Sequence, residues 1–381
     1  MHVLGLMSGT SADGVDAVLA RFAGAPHRPR WQIVASAALP YPDNLRQRLI
    51  AAGQGAPLAA ADWLALAEAV SEQQALAARR CDPTGRAALV GCHGQTIWHR
   101  PPAGPQRGAS LQLLQGPLLA ALLQRPVVFD FRAADLALGG QGAPLVPATD
   151  AALLGGTAGW RGVLNLGGIA NVTLIPPASG PQRQDPVLGW DCGPANTLLD
   201  LAVQQLSGGQ QRWDEGGAWA GRGQVNEGLI SAWLQEPYPQ QQPPKSTGRE
   251  LFGQQDLQRR LTAMQGLDAA DQLATLTAFS AACVAQDLRS RPPLELLVAG
   301  GGCRNLTLMA QLRRRCLGTI VRPLEELGIA DQQREALAFA LLAWWHRLGH
   351  PGNATSVTGA ARRSVLGVCA MPPGHSPRGP H

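Results

Sequence analysis

Short apolar runs alternate with polar, glycine-containing turns along the first part of the chain, and this pattern predicts strands mixed with helices. Strands are predicted at His2–Met7, Val15–Ala20, Trp31–Leu39, Ala87–Cys92 and Pro126–Phe131. Helices are predicted at Leu45–Ile50, Ala61–Arg80 and Gly116–Leu123. A strand meander followed by alternating helices and strands is typical of an α/β domain.

The same order of elements returns after Leu138–Pro147, a stretch rich in Gly and Pro. The strands predicted there are Val163–Leu166, Asn171–Ile175, Val187–Trp190, Leu294–Ala299 and Ile320–Arg322. The helices predicted there are Asn196–Leu206, Asn226–Leu234, Asp268–Leu288, Leu306–Cys316 and Asp331–Leu348. The Gln- and Pro-rich segment Gln235–Thr247 is predicted to be a surface loop. We therefore predict two similar α/β domains, at residues 1–147 and 148–370, and a disordered tail at 371–381.

Composition narrows the class of protein. A length of 381 residues suits roughly two domains. The net charge of +5 is modest, and the short run Arg313–Arg315 is typical of a solvated helix face, so we expect no nucleic-acid partner. The 7 cysteines form no C-x-x-C pair, which indicates reduced thiols in a cytoplasm. No signal sequence or long apolar run is found, so no membrane association is expected.

The stretch Gly5–Asp16 joins the first two predicted strands through a polar turn flanked by glycines. Successive amides in such a turn, with the hydroxyls of Thr10 and Ser11, can form a nest for an anion. Asp13 would not contact a phosphate directly and fits better as a holder of Mg²⁺, either directly or through water. An ordinary hairpin turn explains the same local pattern.

Several common nucleotide and metal sites are excluded by their missing motifs. Lys245 is the only lysine and follows two prolines, so the chain has neither a P-loop nor the strand lysine of a protein kinase. Rossmann and zinc spacings are also missing. Three glycine turns at strand ends remain, at Ser8–Gly14, Asn165–Asn171 and Gly300–Asn305. The first two suit β- and γ-phosphates, and the third leaves bare backbone for an adenine.

The order of these motifs resembles the sugar kinase, Hsp70 and actin superfamily and, within it, the anhydro-N-acetylmuramic acid kinase family. The likeness extends from Gly5 to about Gly367. It rests on ten ordered segments: Gly5–Asp16, His93–Thr96, Asp130–Asp135, Gly139–Pro147, Asn165–Asn171, Asp191–Asn196, Asp214–Gly221, Lys245–Phe252, Gly300–Asn305 and Glu335–Ala340.

The resemblance implies two RNase H-like domains of the actin-like ATPase fold, with a nucleotide cleft between them. It implies ATP and Mg²⁺ as cofactors and a small sugar, 1,6-anhydro-N-acetylmuramic acid, as substrate. The implied reaction opens the anhydro bridge with water and phosphorylates O6, in cell-wall sugar recycling in a bacterial cytoplasm. A homodimer is one assembly that the sequence leaves open.

The glycine turns and the resemblance together assign one group of residues to ATP, with Asp13 also as the metal contact. These residues are Gly9, Thr10, Ser11, Ala12, Asp13, Gly14, Val15, Asp16, Asn165, Gly167, Gly168, Gly300, Gly301, Gly302 and Asn305.

Two carboxylates are the expected catalytic residues. Asp191 lies at the end of a predicted strand, where a general base would sit, and the resemblance assigns it that role. A helix cap is the alternative explanation for Asp191. Glu335, near the start of the last long helix, is expected to orient the metal or the substrate, although a carboxylate there also favours the helix dipole.

The sugar is expected to contact Gln95, Thr96, Asp130 and Arg132. Arg132 matches a carboxylate through its forked guanidinium, although a buried structural ion pair with Asp130 explains the same residues. His93 is equally well explained as a structural histidine. Two other functions stay open: a kinase of another sugar or small acid, and an ATP-gated binding module without a sugar substrate.

Overall fold

The computed structural model describes residues 1–374, so most of the tail predicted at 371–381 lies outside the described residues. The strands are β1 His2–Ser8, β2 Gly14–Ala23, β3 Arg30–Pro40, β4 Leu89–Arg100, β5 Ala109–Leu113, β6 Val127–Phe129, β7 Arg161–Leu166, β8 Ile169–Ile175, β9 Leu188–Pro194, β10 Glu295–Ala299, β11 Ile320–Pro323 and β12 Val368–Ala370.

Helices follow or separate the strands throughout the described part. They are α1 Asp43–Gly53, α2 Ala60–Cys81, α3 Gly116–Leu123, α4 Ala133–Ala137, α5 Val146–Leu154, α6 Asn196–Leu206, α7 Glu227–Trp233, α8 Pro237–Gln240, α9 Gln254–Ala263, α10 Ala269–Leu288, α11 Leu306–Arg315, α12 Asp331–Arg347 and α13 Thr355–Thr358.

The chain forms two compact units, each around its own sheet. In the first unit the strands run β12-β6-β4-β1-β2-β3, with β5 paired to β4; in the second they run β11-β10-β7-β8-β9. In the first unit β2 is antiparallel to β1 and β3, whereas β1, β4 and β6 are parallel to one another. In the second unit β8 is antiparallel to β7 and β9, whereas β7, β10 and β11 are parallel to one another. Both sheets therefore have the order 3-2-1-4-5 of an RNase H-like domain, which confirms the predicted fold class.

The division of the chain differs from the predicted one. The first unit comprises Met1–Leu154 together with the described residues from Gln332 onward, and the second comprises Gly155–Asp331. A buried ion pair between Asp150 on α5 and Arg334 on α12 holds both helices in the first unit. Sequence periodicity predicted the helix beginning at Asp331 but not the sheet on which it packs.

Two glycines on neighbouring strands let α12 lie directly on the first sheet. Gly5 on β1 and Gly91 on β4 are paired in register. A Cβ atom at Gly5 would lie 1.8 Å from the carbonyl oxygen of Ala336, and one at Gly91 would lie 2.2 Å from that of Phe339. Backbone atoms cannot move aside as the end of a flexible side chain can, so both positions require glycine. The opposite face of this sheet packs against α1 and α2 through a separate apolar cluster.

The predicted strands and long helices are present, most with ends shifted by a few residues, but β4 continues to Arg100 instead of ending at Cys92. Several shorter elements were not predicted: β5, β12, α4, α5, α8, α9 and α13. The predicted surface loop Gln235–Thr247 is wrong in part, because Tyr238 is 7% exposed and the Lys245 side chain 1% exposed. Within residues 1–374, no helix combines the length and apolar character needed to cross a bilayer.

Replacing Gly91 by alanine is expected to destabilise the first unit by about 3 kcal/mol, because the new methyl group meets backbone that cannot move aside. Chemical denaturation of the two proteins measures the difference. Gly53→Ala is the matched control, since a Cβ at Gly53 meets its nearest atom at an ordinary 3.5 Å. Equal loss in both variants would contradict the close approach of α12.

Candidate active site

The opening turn connects β1 to β2 and exposes its polar side chains. Ala12 closes it by donating its N–H to the carbonyl oxygen of Gly9 at 3.1 Å. Ala12 itself has a φ of 52°, a left-handed conformation that is uncommon outside glycine and is often retained at functional sites. Thr10 and Ser11 are exposed at the tip. The turn therefore presents hydroxyls and backbone to solvent, as an anion site requires.

Gln95 supports this turn through hydrogen bonds of its side chain, whereas the sequence predicted that it contacts the sugar. Its side chain is buried, and its amide nitrogen donates to the carbonyl oxygen of Gly9 at 2.9 Å. Its amide oxygen accepts a hydrogen bond from the Ser8 hydroxyl.

Gly14, at the end of the same turn, also has a structural explanation, because a Cβ there would lie 2.3 Å from the carbonyl oxygen of Leu39 on β3.

Asp13 stands at the exposed end of the turn, with its side chain 70% exposed. Both of the Arg46 nitrogens that reach it bind Oδ1, at 3.0 and 3.2 Å. An exposed pair of this kind contributes little to stability. Oδ2 accepts no hydrogen bond from residues 1–374, so one carboxylate oxygen stays available for a cation or a water molecule.

Asp16, Glu335 and Arg132 all belong to the first unit, and the charge of Glu335 acts on both of the others. Asp16 lies on the sheet face that α12 covers, because its strand pairing places it on the same side as Gly5. Burial, and after it the negative charge of Glu335, raises the pKa of Asp16 to about 6. Glu335 also favours the charged form of Arg132, whose pKa burial lowers.

The orientation of Arg132 is fixed by two contacts that the sequence did not reveal. One guanidinium nitrogen donates to the carbonyl oxygen of Gly142 at 2.7 Å, and another to Nε2 of His93 at 2.9 Å. His93 Nδ1 donates to the carbonyl oxygen of Gly94 at 2.9 Å, so the ring is neutral and Nε2 accepts. Burial and the charge of Arg132 lower the pKa of His93 to about 3, which agrees with this tautomer. His93 therefore orients Arg132.

The other two expected sugar contacts have different surroundings. Asp130 lies just after β6 with a φ of 52°, and burial raises the pKa of its carboxyl. No ion pair between Asp130 and Arg132 occurs within residues 1–374, so the structural pair considered from the sequence is not formed. The Thr96 hydroxyl donates to Gln112 on β5 at 2.8 Å.

In the second unit, the start of α6 holds the turn between β7 and β8. The amides of Ala195 and Thr197 both donate to the carbonyl oxygen of Gly168, and that of Asn196 donates to Gly167, each at 3.0 Å. A Cβ at Gly168 would lie 2.5 Å from the Thr197 hydroxyl. The segment that follows Asp191 therefore fixes the shape of the second predicted phosphate turn.

The triple-glycine turn after β10 packs against the same β7–β8 turn. A Cβ at Gly300 would lie 2.7 Å from Oδ1 of Asn165, and one at Gly302 would lie 2.6 Å from Cβ of Leu166. Gly300 also has a φ of 87°. Asn305 caps α11, because its Oδ1 accepts from the Leu308 amide at 2.9 Å. Two predicted ATP turns are thus brought together within this unit.

Three of the predicted ATP glycines have no packing reason to be glycine. A Cβ would meet its nearest atom at 3.8 Å at Gly9, 3.7 Å at Gly167 and 3.8 Å at Gly301, all ordinary contact distances. None of the three has a left-handed φ. A ligand that approaches the bare backbone gives a reason for glycine at positions where the protein gives none.

Asp191 lies within β9, which continues to Pro194, and both hydrogen bonds to its side chain reach the same carboxylate oxygen. Oδ2 accepts from the Ser246 hydroxyl at 2.9 Å and from the Thr247 amide at 3.0 Å. Oδ1 accepts no bond from the described residues. Burial raises the pKa of Asp191, whereas the two hydrogen bonds act in the opposite direction. Asp191 caps no helix, and its free oxygen suits a proton acceptor.

The sequence left two places open for Lys245, the mouth of the expected cleft and a solvated loop, and it did not show that the next two residues bind Asp191. The available signal was the lone lysine, since Lys245 stands among Gln and Pro residues in a chain that otherwise uses arginine.

The comparisons with known proteins agree with this geometry. Residues 1–372 match the family described as anhydro-N-acetylmuramic acid kinase. The chain belongs to the anhydro-N-acetylmuramic acid kinase family. The resemblance found in the sequence motifs is thereby confirmed.

Relatives that carry the same family name match this chain over nearly its full length. The anhydro-N-acetylmuramic acid kinase of Synechococcus sp. (strain WH7803) is 64% identical over 386 residues, covering 98% of this chain and 100% of that protein. That of Parasynechococcus marenigrum (strain WH8102) is also 64% identical, with the same coverage. Among solved structures, a ROK family glucokinase from Streptomyces griseus in complex with glucose and AMPPNP matches with a TM-score of 0.40 and 14% identity, over 90% of this chain and 99% of that one.

Gly9→Ala is expected to weaken ATP binding by about tenfold or more while the free energy of unfolding changes by less than about 0.5 kcal/mol. The reason is that a methyl group at Gly9 would displace a ligand but no protein atom. Calorimetric titration with ATP and chemical denaturation measure the two quantities. Gly53→Ala should leave both unchanged; unaltered ATP affinity in Gly9→Ala would remove this turn from the nucleotide site.

Proposed function

We propose that this protein transfers the γ-phosphoryl group of ATP to O6 of 1,6-anhydro-N-acetylmuramic acid while water opens the anhydro bridge. The product is N-acetylmuramate 6-phosphate, an intermediate of cell-wall sugar recycling in a bacterial cytoplasm. Full-length family membership at 64% identity is the observation that carries the proposal. The free oxygen of Asp191 supports its chemical part.

The reaction needs a base because the anhydro sugar has no free hydroxyl at O6. Asp191 Oδ1 accepts a proton from water, and the water oxygen bonds to the anomeric carbon as the bond from that carbon to O6 breaks. O6 then bonds to the γ-phosphorus, and the bond from that phosphorus to the bridging oxygen of ADP breaks. The proton leaves Asp191 for solvent after the products depart. Atoms and charges balance without any further reactant.

The two units contribute different groups to this proposal. In the first unit, the opening turn at Gly9–Ser11 offers amides and hydroxyls to phosphate oxygens. Arg132, held by His93, suits the carboxylate of the muramic acid side chain, and Asp130 suits a sugar hydroxyl. In the second unit, the bare backbone at Gly167 and Gly301 leaves room for the nucleotide.

Magnesium is the cation that ATP-dependent phosphoryl transfer uses, and it would neutralise developing charge on the phosphate oxygens. The carboxylates of Asp16 and Glu335 suit it, because they hold two negative charges near each other and offer only oxygen ligands. Asp13, the residue expected from the sequence, keeps Oδ2 for a second contact. We propose Asp16 and Glu335 as the main holders of the ion.

The identity of the metal holders is testable by comparing two variants. Asp16→Asn is expected to raise the Mg²⁺ concentration for half-maximal turnover by about tenfold or more, whereas Asp13→Asn should raise it less. Titrating Mg²⁺ at saturating ATP and sugar measures both, and Mn²⁺ binding followed by electron paramagnetic resonance checks them without turnover. A larger effect of Asp13→Asn would return the metal contact to the exposed turn.

The reaction itself is tested by isotope and by substrate. With ¹⁸O-labelled water, the wild-type enzyme should place the label on the anomeric hydroxyl and leave the phosphate unlabelled. Asp191→Asn should lose more than the ~10²–10⁴-fold typical of one acid–base group, since ring opening and transfer fail together, while it still binds ATP. Label in inorganic phosphate, or ADP release that needs no sugar or prefers another sugar in a panel, would overturn the proposal.

A further inference from the structure

The only lysine of the chain is buried in an ion pair beneath the proposed base. Lys245 Nζ lies 2.8 Å from Oδ1 of Asp287 on α10, and the two side chains are 1% and 4% exposed. The ammonium group also lies 4.9 Å from the centre of the Tyr238 ring. A buried pair of this kind is expensive to form, and removing one partner leaves an uncompensated charge. Such a pair is weak evidence for stability and invites another explanation.

The pair connects to Asp191 by three routes. The Lys245 carbonyl oxygen accepts the Asp191 amide at 3.0 Å. The next residues, Ser246 and Thr247, make both hydrogen bonds to Asp191 Oδ2. On the other side, Trp190, the chain neighbour of Asp191, donates its indole N–H to Oδ2 of Asp287 at 2.9 Å.

Tyr238 contacts both Asp191 and Lys245. Its hydroxyl donates to the carbonyl oxygen of Asp191 at 2.7 Å, and its ring lies beneath the ammonium group of Lys245. One carboxylate, Asp287, thus ties together the strand that carries Asp191 and the loop that binds its side chain.

We propose that Lys245 and Asp287 are positioning residues that clamp residues 245–247 against Asp191, so that Oδ2 is held and Oδ1 is aimed at water. The clamp rests on the proposed function of Asp191 as a base. Neither clamp residue contacts the reacting atoms. Both act through the hydroxyl of Ser246 and the amide of Thr247.

The clamp also favours the ionised form of Asp191. Hydrogen bonds from Ser246 and Thr247 lower the pKa of Asp191, which burial and the nearby charge of Glu250 raise. The Tyr238 hydroxyl, the buried thiol of Cys192 and the Lys245–Asp287 pair are also close to Asp191 in the chain or in space. Releasing the loop would therefore raise the pKa of Asp191 further, and less of the base would be ionised at a given pH.

The experiment compares Ser246→Ala, which removes one bond and disturbs no packing, with Asp287→Asn, which removes the charge of the clamp. Activity depends on ionised Asp191, so it falls as the pH falls through the pKa of this group. Ser246→Ala should move the acid limb of the kcat/KM profile to higher pH, and both variants should lower kcat by about 10- to 100-fold, with ATP affinity unchanged. Glu295→Gln is the matched control, because Glu295 is a buried, ion-paired carboxylate that makes no contact with Asp191.

A purely structural pair predicts a different result. Asp287→Asn would then lower thermal stability as Glu295→Gln does, and its kcat per folded molecule would match the wild type. If Asp287→Asn fails to fold, Lys245→Arg serves instead: it keeps the charge but replaces a compact ammonium by a larger fork. An unmoved acid limb in Ser246→Ala would by itself overturn the clamp.

A second readout separates this inference from the proposed function. The difference in unfolding free energy between the wild type and Asp191→Asn reports the pKa of Asp191 without any substrate. Since burial raises that pKa, the wild type should lose stability relative to Asp191→Asn as the pH rises from the unfolded to the folded pKa. With Ser246→Ala in both proteins, the loss should continue to higher pH. If the enzyme does not act on the anhydro sugar but the pH dependence of stability shifts as expected, the clamp stands and the proposed substrate is wrong. If it acts on the sugar but the pH dependence of stability does not shift, the clamp alone is wrong.

Discussion

The close approach of α12 to the first sheet governs the arrangement of charge in that unit. Only glycine at two paired positions, Gly5 and Gly91, allows the helix backbone to lie against the strands. Close-packed interiors leave no room for even one extra methyl group at such a contact. The first turn of the helix also contacts β3, where Gln333 donates to the Ser36 hydroxyl at 2.9 Å. Glu335 then stands near Asp16 and Arg132.

Both units solve the problem of holding a charged group by burying its support. In the first unit the neutral ring of His93 accepts from Arg132, so a cation is oriented without a second charge. In the second unit a full ion pair, Lys245 with Asp287, fixes the loop around Asp191. Removing a supporting group would leave a buried donor or charge without its partner, which costs more than the bond itself contributes.

Sequence reasoning succeeded where local pattern decides structure. The strands, the long helices and the three glycine turns follow from periodicity and turn chemistry, and the family followed from ordered motifs. It failed where tertiary contacts decide. Nothing local shows that Gln95 supports the opening turn, or that the chain returns to the first unit at Gln332. The polar neighbours of Lys245 predicted a surface loop, while its burial depends on Asp287, 42 residues later in the chain.

A comparison with Arg260 explains in physical terms why this arginine-rich chain has a lysine at position 245. Arg260 is also fully buried, but it pairs with two carboxylates, Asp256 and Glu236, and its guanidinium lies over the rings of both Trp233 and Phe279. Even so, its Nη1 finds no partner among the described residues. A guanidinium needs such a flat, doubly acidic site because it carries five donors in a fixed fork.

The surroundings of Lys245 could not supply that site. They offer one carboxylate oxygen of Asp287, the carbonyl oxygen of Tyr238 at 3.4 Å and the face of a single ring. The other oxygen of Asp287 already accepts from Trp190. A point charge with three rotatable donors matches these partners, whereas a guanidinium would leave more N–H groups buried and unpaired. The groups around position 245 therefore suit lysine better than arginine. The same pocket holds the next two residues, Ser246 and Thr247, where they donate to Asp191.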